Sequence, residues 1–130
     1  MKNAADNLLT GKHVLLVEDQ TLIALDTEAL LRELGAQTVE TFTQVEDALA
    51  WLASATPDVA VLDINLGSDS SFSIAEEIQR RGKPLIFTTG YSEGFDVPDV
   101  CRDVPIVRKP YTRDAIAGAL IACLGGVGAS

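Results

Sequence analysis

Residues 59–67, VAVLDINLG, decide the fold prediction because an apolar run of strand length ends there in an acid, Asp63. Three other short apolar runs also lead directly into polar residues suited to handling phosphate. Residues 14–17 precede Glu18 and Asp19, residues 85–87 precede Thr88 and Thr89, and residues 106–107 precede Arg108, Lys109 and Pro110. In an open parallel sheet, the residues just past the carboxyl ends of the strands meet in one crevice, where ligands bind. The sequence therefore predicts that three acids, a hydroxyl and an ammonium group share one site.

Strand-length apolar runs alternate along the chain with longer segments of helical period, which is typical of βαβ units and a parallel sheet. We predict strands over residues 13–17, 37–42, 59–63, 84–88 and 105–108. Helices are expected over residues 21–34, 43–53, 73–81 and 112–124, with a polar loop over 65–71. Residues 90–104 contain Gly94 and Pro98, so a fourth helix of the series should be short, irregular or mobile. The predicted fold class is α/β, a doubly wound five-stranded parallel sheet.

Local signals predict where the helices start and stop. The first helix should bury one apolar face and end at Gly35, and the third should end at Gly82. Gly125 and Gly126 are expected to end the ordered chain. The buried face of the first helix is assigned to Leu22, Leu25, Ala29, Leu30 and Leu34. The remaining starts are assigned to two capping boxes and one N-cap: Thr43 with Glu46, Ser73 with Glu76, and Thr112.

Composition limits the classes of protein that this chain can be. The length of 130 residues suits one domain, predicted over residues 11–125 with tails at 1–10 and 126–130. Hydrophobic residues at 47% argue against disorder. The net charge of −9, from 19 acids against 10 bases, disfavours binding to nucleic acid.

Targeting and cysteine signals are weak. The longest uncharged stretch, residues 115–129, is shorter than the roughly 20 apolar residues of a membrane span, so no membrane association is expected. The first twelve residues lack the apolar core of a signal peptide, so we predict a cytoplasmic location. Cys101, Cys123 and the single histidine, His13, show no metal-ligand spacing.

The acids define the chemistry. Asp63 is the best candidate for a carboxylate nucleophile that forms an acyl phosphate, although a strand-end cap is the alternative. Glu18 and Asp19 would lie near it if the first and third strands are neighbours, or they could simply cap the first helix. Like charges ~4 Å apart cost ~4 kcal/mol at an effective dielectric of 20, so the cluster calls for a cation. Hard oxygen ligands favour Mg²⁺. Thr89 and Lys109 would offer a hydroxyl and an ammonium group to phosphoryl oxygens.

These motifs together resemble the receiver domain of bacterial response regulators over residues 11–124. The match comprises VLLVED at 14–19, VLDINLG at 61–67, Thr89, and Lys109 with Pro110. The resemblance implies a flavodoxin-like (βα)5 fold with strand order 2-1-3-4-5. It also implies that Asp63 accepts phosphate from a sensor histidine kinase or a phosphotransfer protein, with Mg²⁺ present. Such a domain catalyses its own phosphorylation and dephosphorylation and is not a turnover enzyme.

The same resemblance assigns a role to each site residue. Asp19 and Asp63 would ligate the metal through their side chains, Glu18 would position its water, and Asn65 would contribute its backbone carbonyl. Thr89 and Lys109 would bind the phosphoryl oxygens. Kinase specificity in this family lies largely on the first helix, where the candidate residues are Thr21, Leu22, Leu25 and Asp26.

Residues 84–91, PLIFTTGY, are similar to the FATGUY subgroup of single-domain receivers, from which Leu85 and Thr88 depart. Members of that subgroup bind proteins or drain phosphate from a kinase, and they have no DNA-binding output. Ile106 stands where the family usually has Tyr or Phe, so the usual aromatic switch is not assumed. We expect that Thr89 still moves toward the phosphoryl group and that the 90–104 segment, with Tyr91, carries the change. Tyr91 is also expected to shield the acyl phosphate.

Two other classes of protein are alternatives to a phosphorylated receiver. One is an interaction module of the same fold that is never phosphorylated. The other is a haloacid-dehalogenase-like phosphatase, which needs a second acid two residues after its nucleophile, where this chain has Asn65. A monomer, or a weak dimer that forms on phosphorylation, is the expected oligomeric state, with a downstream protein as a further partner.

Overall fold

The computed structural model describes residues 7–66, 69–90, 99–109 and 112–128. Five strands form the main sheet: β1 (His13–Val17), β2 (Thr38–Phe42), β3 (Val59–Asp63), β6 (Leu85–Thr89) and β7 (Ile106–Arg108). Two short strands, β4 (Asn65–Leu66) and β5 (Asp69–Ser70), follow β3. The α-helices are α1 (Thr21–Glu33), α2 (Val45–Leu52), α3 (Phe72–Arg80) and α4 (Arg113–Gly128), and residues Asp99–Cys101 form a 3-10 helix.

The main sheet is parallel throughout, in the order β2-β1-β3-β6-β7. Because β6 and β7 are the fourth and fifth strands of the main sheet, this is the predicted order 2-1-3-4-5. The doubly wound fold is therefore confirmed. The register places Val17 beside Leu62, Asp63 beside Thr88, and Thr89 beside Arg108. All five carboxyl ends therefore lie at one edge of the sheet, which is the geometry that the site requires.

Both faces of the sheet are covered by helices, so its central strands are almost continuously apolar. Leu15, Leu62 and Phe87 pack in the cluster that includes the buried residues of α2 and α3. Leu16 and Ile86 pack in the opposite cluster, which includes buried residues of α1 and α4. Each fully buried side chain of this size contributes about 1.5–3 kcal/mol of transfer free energy. The two cores hold the sheet edge, and hence the site, in place.

The buried face of α1 was predicted only in part. Leu34 is fully buried and Leu30 packs against the core, as predicted. Leu22 and Leu25 are 78% and 58% exposed and Ala29 is also exposed, whereas Ala24, Thr27 and Leu31 are buried. The Thr27 hydroxyl donates to the Ile23 carbonyl at 2.8 Å, which satisfies it in the interior.

The capping signals were partly wrong. The helices α2 and α3 begin at Val45 and Phe72, and among the described residues neither has a side-chain cap hydrogen bond. Glu46 is thus the second helical residue and Ser73 lies inside α3, so neither capping box has the spacing it needs. Thr112 is confirmed, because its Oγ1 accepts the Ala115 N–H at 3.1 Å.

Helix ends were predicted more successfully, with one exception. Gly35 and Gly82 have φ of 107° and 73° and follow α1 and α3, as glycine C-caps should. The exception is α4, which continues through Gly125 and Gly126 to Gly128. At the other end of the chain, Leu9 is fully buried, so the packed structure includes residues before position 11.

Two further segments differ from simple loops. Residues 65–71, expected to be a polar loop, contain the β4–β5 hairpin. A fourth helix that is short or irregular was predicted within residues 90–104. The 3-10 helix at Asp99–Cys101 lies in this segment, and residues 91–98 lie outside the described residues. No helix in the described ranges is both long and apolar enough to cross a bilayer.

Candidate functional site

The strand ends bring the predicted site residues together. Glu18 follows β1 and its N–H donates to the Phe42 carbonyl at 3.0 Å, while Asp63 is the last residue of β3. Lys109 follows β7, and its N–H donates to the Thr89 carbonyl at 2.7 Å. The backbone at each of these positions is held by a neighbouring strand. The side chains therefore start from fixed points along one sheet edge.

Three carboxylates form the centre of the site. One oxygen from each of Glu18, Asp19 and Asp63 lies within 4.8 Å of the other two. Glu18 is 1% exposed and Asp63 4%, whereas Asp19 is exposed. Three acids so close together repel one another strongly in a partly desolvated place. The cluster therefore needs positive charge.

Lys109 supplies part of that charge. Its Nζ lies 2.5 Å from Glu18 Oε1 and 3.2 Å from Asp63 Oδ2, and its side chain is 10% exposed. The other oxygen of Glu18 accepts the Gln20 N–H at 3.1 Å. The sequence predicts Lys109 at the phosphoryl group but does not predict its ion pair with Glu18. No sequence spacing signals it, because the two residues are 91 positions apart.

The pKa shifts follow from these contacts. Burial raises the pKa of the Glu18 carboxyl. The hydrogen bond with Lys109 lowers this pKa, but by less than burial raises it. Loss of solvent and the neighbouring Glu18 raise the pKa of Asp19. Burial would lower the pKa of Lys109, but the contact with Glu18 and the charge of Asp63 outweigh it and raise that pKa. The lysine therefore stays charged, and one ammonium group faces three acids.

The donor set fits a hard divalent cation. Carboxylate oxygens are ligands that Mg²⁺ prefers, and one lysine cannot neutralise three acids. Because Asp19 is exposed, the cluster opens to solvent on that side, where bound water could complete the coordination of an ion. Asp63 is thus buried among charged groups and is not sealed in the apolar interior.

The remaining predicted residues are placed as follows. Thr89 ends β6 and is 1% exposed. Asn65 is the first residue of β4, two positions past Asp63. Tyr91 and Pro110 lie outside the described residues. Ile106 is 41% exposed on β7, and the four candidate kinase-contacting residues of α1 are all exposed: Thr21, Leu22, Leu25 and Asp26.

Sequence reasoning missed the hairpin beside the acids. In the sequence, Gly67 and Ser68 separate β4 from β5, and they lie outside the described residues. A two-residue spacing that begins with glycine is a recognised sequence signal for a hairpin. Ser71, at the end of the hairpin, is fully buried. This signal could have located the hairpin from sequence.

A doubly wound parallel sheet with acids, a threonine and a lysine at its carboxyl edge defines a receiver-type α/β domain. Residues 14–120 match the family model described as the response regulator receiver domain, and the chain belongs to this family of two-component signalling.

Similar proteins agree with this assignment. The sensory transduction protein LytT of Bacillus cereus is 34% identical over 114 residues, which cover 82% of this chain and 45% of LytT. The solution structure of SdrG from Sphingomonas melonis Fr1 has a TM-score of 0.76 and 39% identity, covering 90% of this chain and 98% of SdrG. A structure titled as the anti-anti-sigma factor PhyR of Bartonella quintana has a TM-score of 0.77 and 27% identity, covering 96% and 53%. The chain spans less than half the length of the curated relatives it matches.

Proposed function

We propose that this domain is the phosphoacceptor of a two-component phosphorelay, with Asp63 as the residue that is phosphorylated. The observation that carries the proposal is the position of the Asp63 carboxylate, 3.2 Å from Lys109 Nζ and within 4.8 Å of the Glu18 and Asp19 carboxylates. A nucleophilic carboxylate needs this combination of neighbouring positive charge and metal-ligating acids.

In the proposed reaction, an Asp63 oxygen attacks the phosphorus of a phosphohistidine on a sensor histidine kinase or phosphotransfer protein. The P–O bond forms as the P–N bond breaks, and the imidazole leaves. Lys109 and Thr89 bind the phosphoryl oxygens, and Lys109 offsets their charge. Mg²⁺, when bound by Asp19, Asp63 and the Asn65 carbonyl, with Glu18 positioning its water, would supply charge neutralisation for the transferred group. Water later hydrolyses the acyl phosphate, which releases inorganic phosphate and regenerates Asp63. In this proposal the phosphorylated state is itself the signal, and the domain is not a turnover enzyme.

The output that we propose is a change in protein binding, or the removal of phosphate from the kinase. PhyR is named an anti-anti-sigma factor, and a protein-binding output for this chain agrees with that similarity. The net charge of −9 argues against nucleic acid as the partner. We further propose a cytoplasmic location, a monomer or weak phosphorylation-dependent dimer, and membership in the FATGUY subgroup. Ile106, which lacks an aromatic ring, would make the switch depend on other residues.

The test is labelling with acetyl phosphate, with and without Mg²⁺, followed by intact-mass measurement. The parent protein should gain one phosphoryl group only with Mg²⁺, and Asp63→Asn should gain none. Asp114→Asn is the matched control, because Asp114 is an exposed acid in the first turn of α4, and it should label like the parent. Labelling of Asp63→Asn would reject the proposal. So would a parent protein that is not labelled by acetyl phosphate and does not bind beryllofluoride.

If the parent protein is labelled at Asp63, phosphotransfer profiling against candidate kinases would identify the donor.

A further inference from the structure

The hairpin that follows Asp63 is joined to both the sheet and α3. Its strands pair Asn65 with Ser70 and Leu66 with Asp69. Just outside these pairs, the Ser71 N–H donates to the Ile64 carbonyl at 3.3 Å. The Ser71 carbonyl in turn accepts the Ala75 N–H at 2.9 Å, in the first turn of α3. The hairpin is therefore anchored to a helix whose Ile74 and Ile78 are fully buried.

The register determines which way the backbone of Asn65 points. In an antiparallel pair, hydrogen-bonded and non-hydrogen-bonded residue pairs alternate along the strands. The bond between Ser71 and Ile64 makes the next pair, Asn65 with Ser70, a non-hydrogen-bonded pair. The N–H and C=O groups of Asn65 consequently point away from β5, and the hairpin leaves its carbonyl oxygen unused.

The backbone just before Asn65 is held on both sides. The Ile64 N–H donates to the Thr88 carbonyl on β6 at 2.9 Å, and the Ile64 carbonyl accepts the Ser71 N–H. The chain bends at Ile64, between Asp63 at the end of β3 and Asn65 at the start of β4. Asn65 therefore lies directly beyond a held bend, two positions from a carboxylate of the acidic cluster, and the hairpin does not use its carbonyl.

We propose that Ser71 is a positioning residue for the metal: its backbone N–H closes the hairpin and holds the Asn65 carbonyl in place as an oxygen ligand for Mg²⁺. This inference rests on the proposed function, because it assumes the magnesium site. The Ser71 hydroxyl has no part in it, since that buried oxygen has no hydrogen-bond partner within the described part of the chain. The role belongs to the N–H group, which alanine keeps and proline removes.

The test compares Ser71→Pro with Ser71→Ala, since both remove the hydroxyl and only proline removes the N–H. The φ of Ser71 is −85°, near the value proline imposes, and Ser70 is in a strand, as a residue before proline prefers. Leu66→Pro is the second variant, because it removes the Leu66 N–H that the register pairs with Asp69. Circular dichroism and urea unfolding without metal would check that each variant folds.

Magnesium affinity, measured by isothermal titration calorimetry on the folded proteins, is the readout. Ser71→Ala should bind Mg²⁺ within about twofold of the parent, and the two proline variants roughly 10–100-fold more weakly, as when other groups that orient metal ligands are lost. Proline variants that fold and bind within twofold of Ser71→Ala would overturn the inference alone. A parent protein that binds no Mg²⁺ would overturn the proposed function as well.

Discussion

Replacing Lys109 with methionine should destabilise the metal-free protein. Lys109 Nζ lies 2.5 Å from Glu18 and 3.2 Å from Asp63, and both carboxylates are almost fully buried. Removing one partner of a buried ion pair typically costs about 3–5 kcal/mol, because the remaining charge is left uncompensated. Methionine keeps most of the side-chain volume, so the effect should come from charge and not from a cavity.

The ordinary pKa of a glutamate sets an upper limit on the part of this loss that Glu18 contributes. Its ordinary value is 4.5, and without Lys109 its pKa in the folded protein rises further. Once that pKa exceeds the solution pH, Glu18 takes up a proton instead of remaining a buried charge. At pH 7 the limit is about 3.4 kcal/mol, from 1.36 kcal/mol for each pH unit above 4.5. We therefore expect Glu18 to account for about 2–3 kcal/mol of the loss.

The sign of the pH dependence follows. A carboxyl whose pKa is raised by folding lowers stability most above its folded pKa, and the penalty disappears as the pH falls towards its unfolded value. The difference between the parent and Lys109→Met should thus shrink between pH 7 and pH 5. Urea unfolding in a chelator would measure it. Lys83→Met is the control, because Lys83 lies before the amino end of β6, opposite to the site, and it should change stability by no more than about 0.5 kcal/mol. A loss at pH 7 that matches the control, or a difference that does not shrink at low pH, would refute the argument.

Three further predictions test other features. Ser71→Ala should raise the unfolding free energy by about 1 kcal/mol in urea titration, since it removes a buried hydroxyl that lacks a partner in the described ranges; a clear loss would contradict this. Gly90→Ala should stabilise by about 0.4–1 kcal/mol, because an added Cβ meets no described atom within 4 Å; a drop in thermal midpoint would show otherwise. Burial raises the pKa of Cys123 to about 11, so at pH 8 iodoacetamide should modify it roughly 100-fold more slowly in the folded than in the urea-unfolded protein, followed by mass spectrometry. Equal rates would show that the thiol is accessible and ordinary.

The convergence of the acids and Lys109 could be predicted from sequence because it depends on the ends of strands. Asp63 and Lys109 are recognisable as polar residues that end apolar runs, and a parallel sheet brings such ends together whatever the loops do. The buried face of α1 could not be predicted in the same way. Its leucines suggest one face, yet Leu22 and Leu25 are exposed and Ala24 packs inward. Apolar periodicity does not show how closely a helix approaches the sheet, and close approach favours small residues.

The sequence by itself determined the class of fold, the parallel order of the elements and the membership of the acidic set, because these follow from local apolar patterns and from polar residues at strand ends. Only the tertiary structure decided that Lys109 pairs with Glu18 as well as Asp63, and that the register of the hairpin turns the Asn65 carbonyl away from β5. Both are properties of backbone direction and of distances between residues far apart in the chain. Such distances are determined by the packing of the whole sheet and its helices, which no local pattern records.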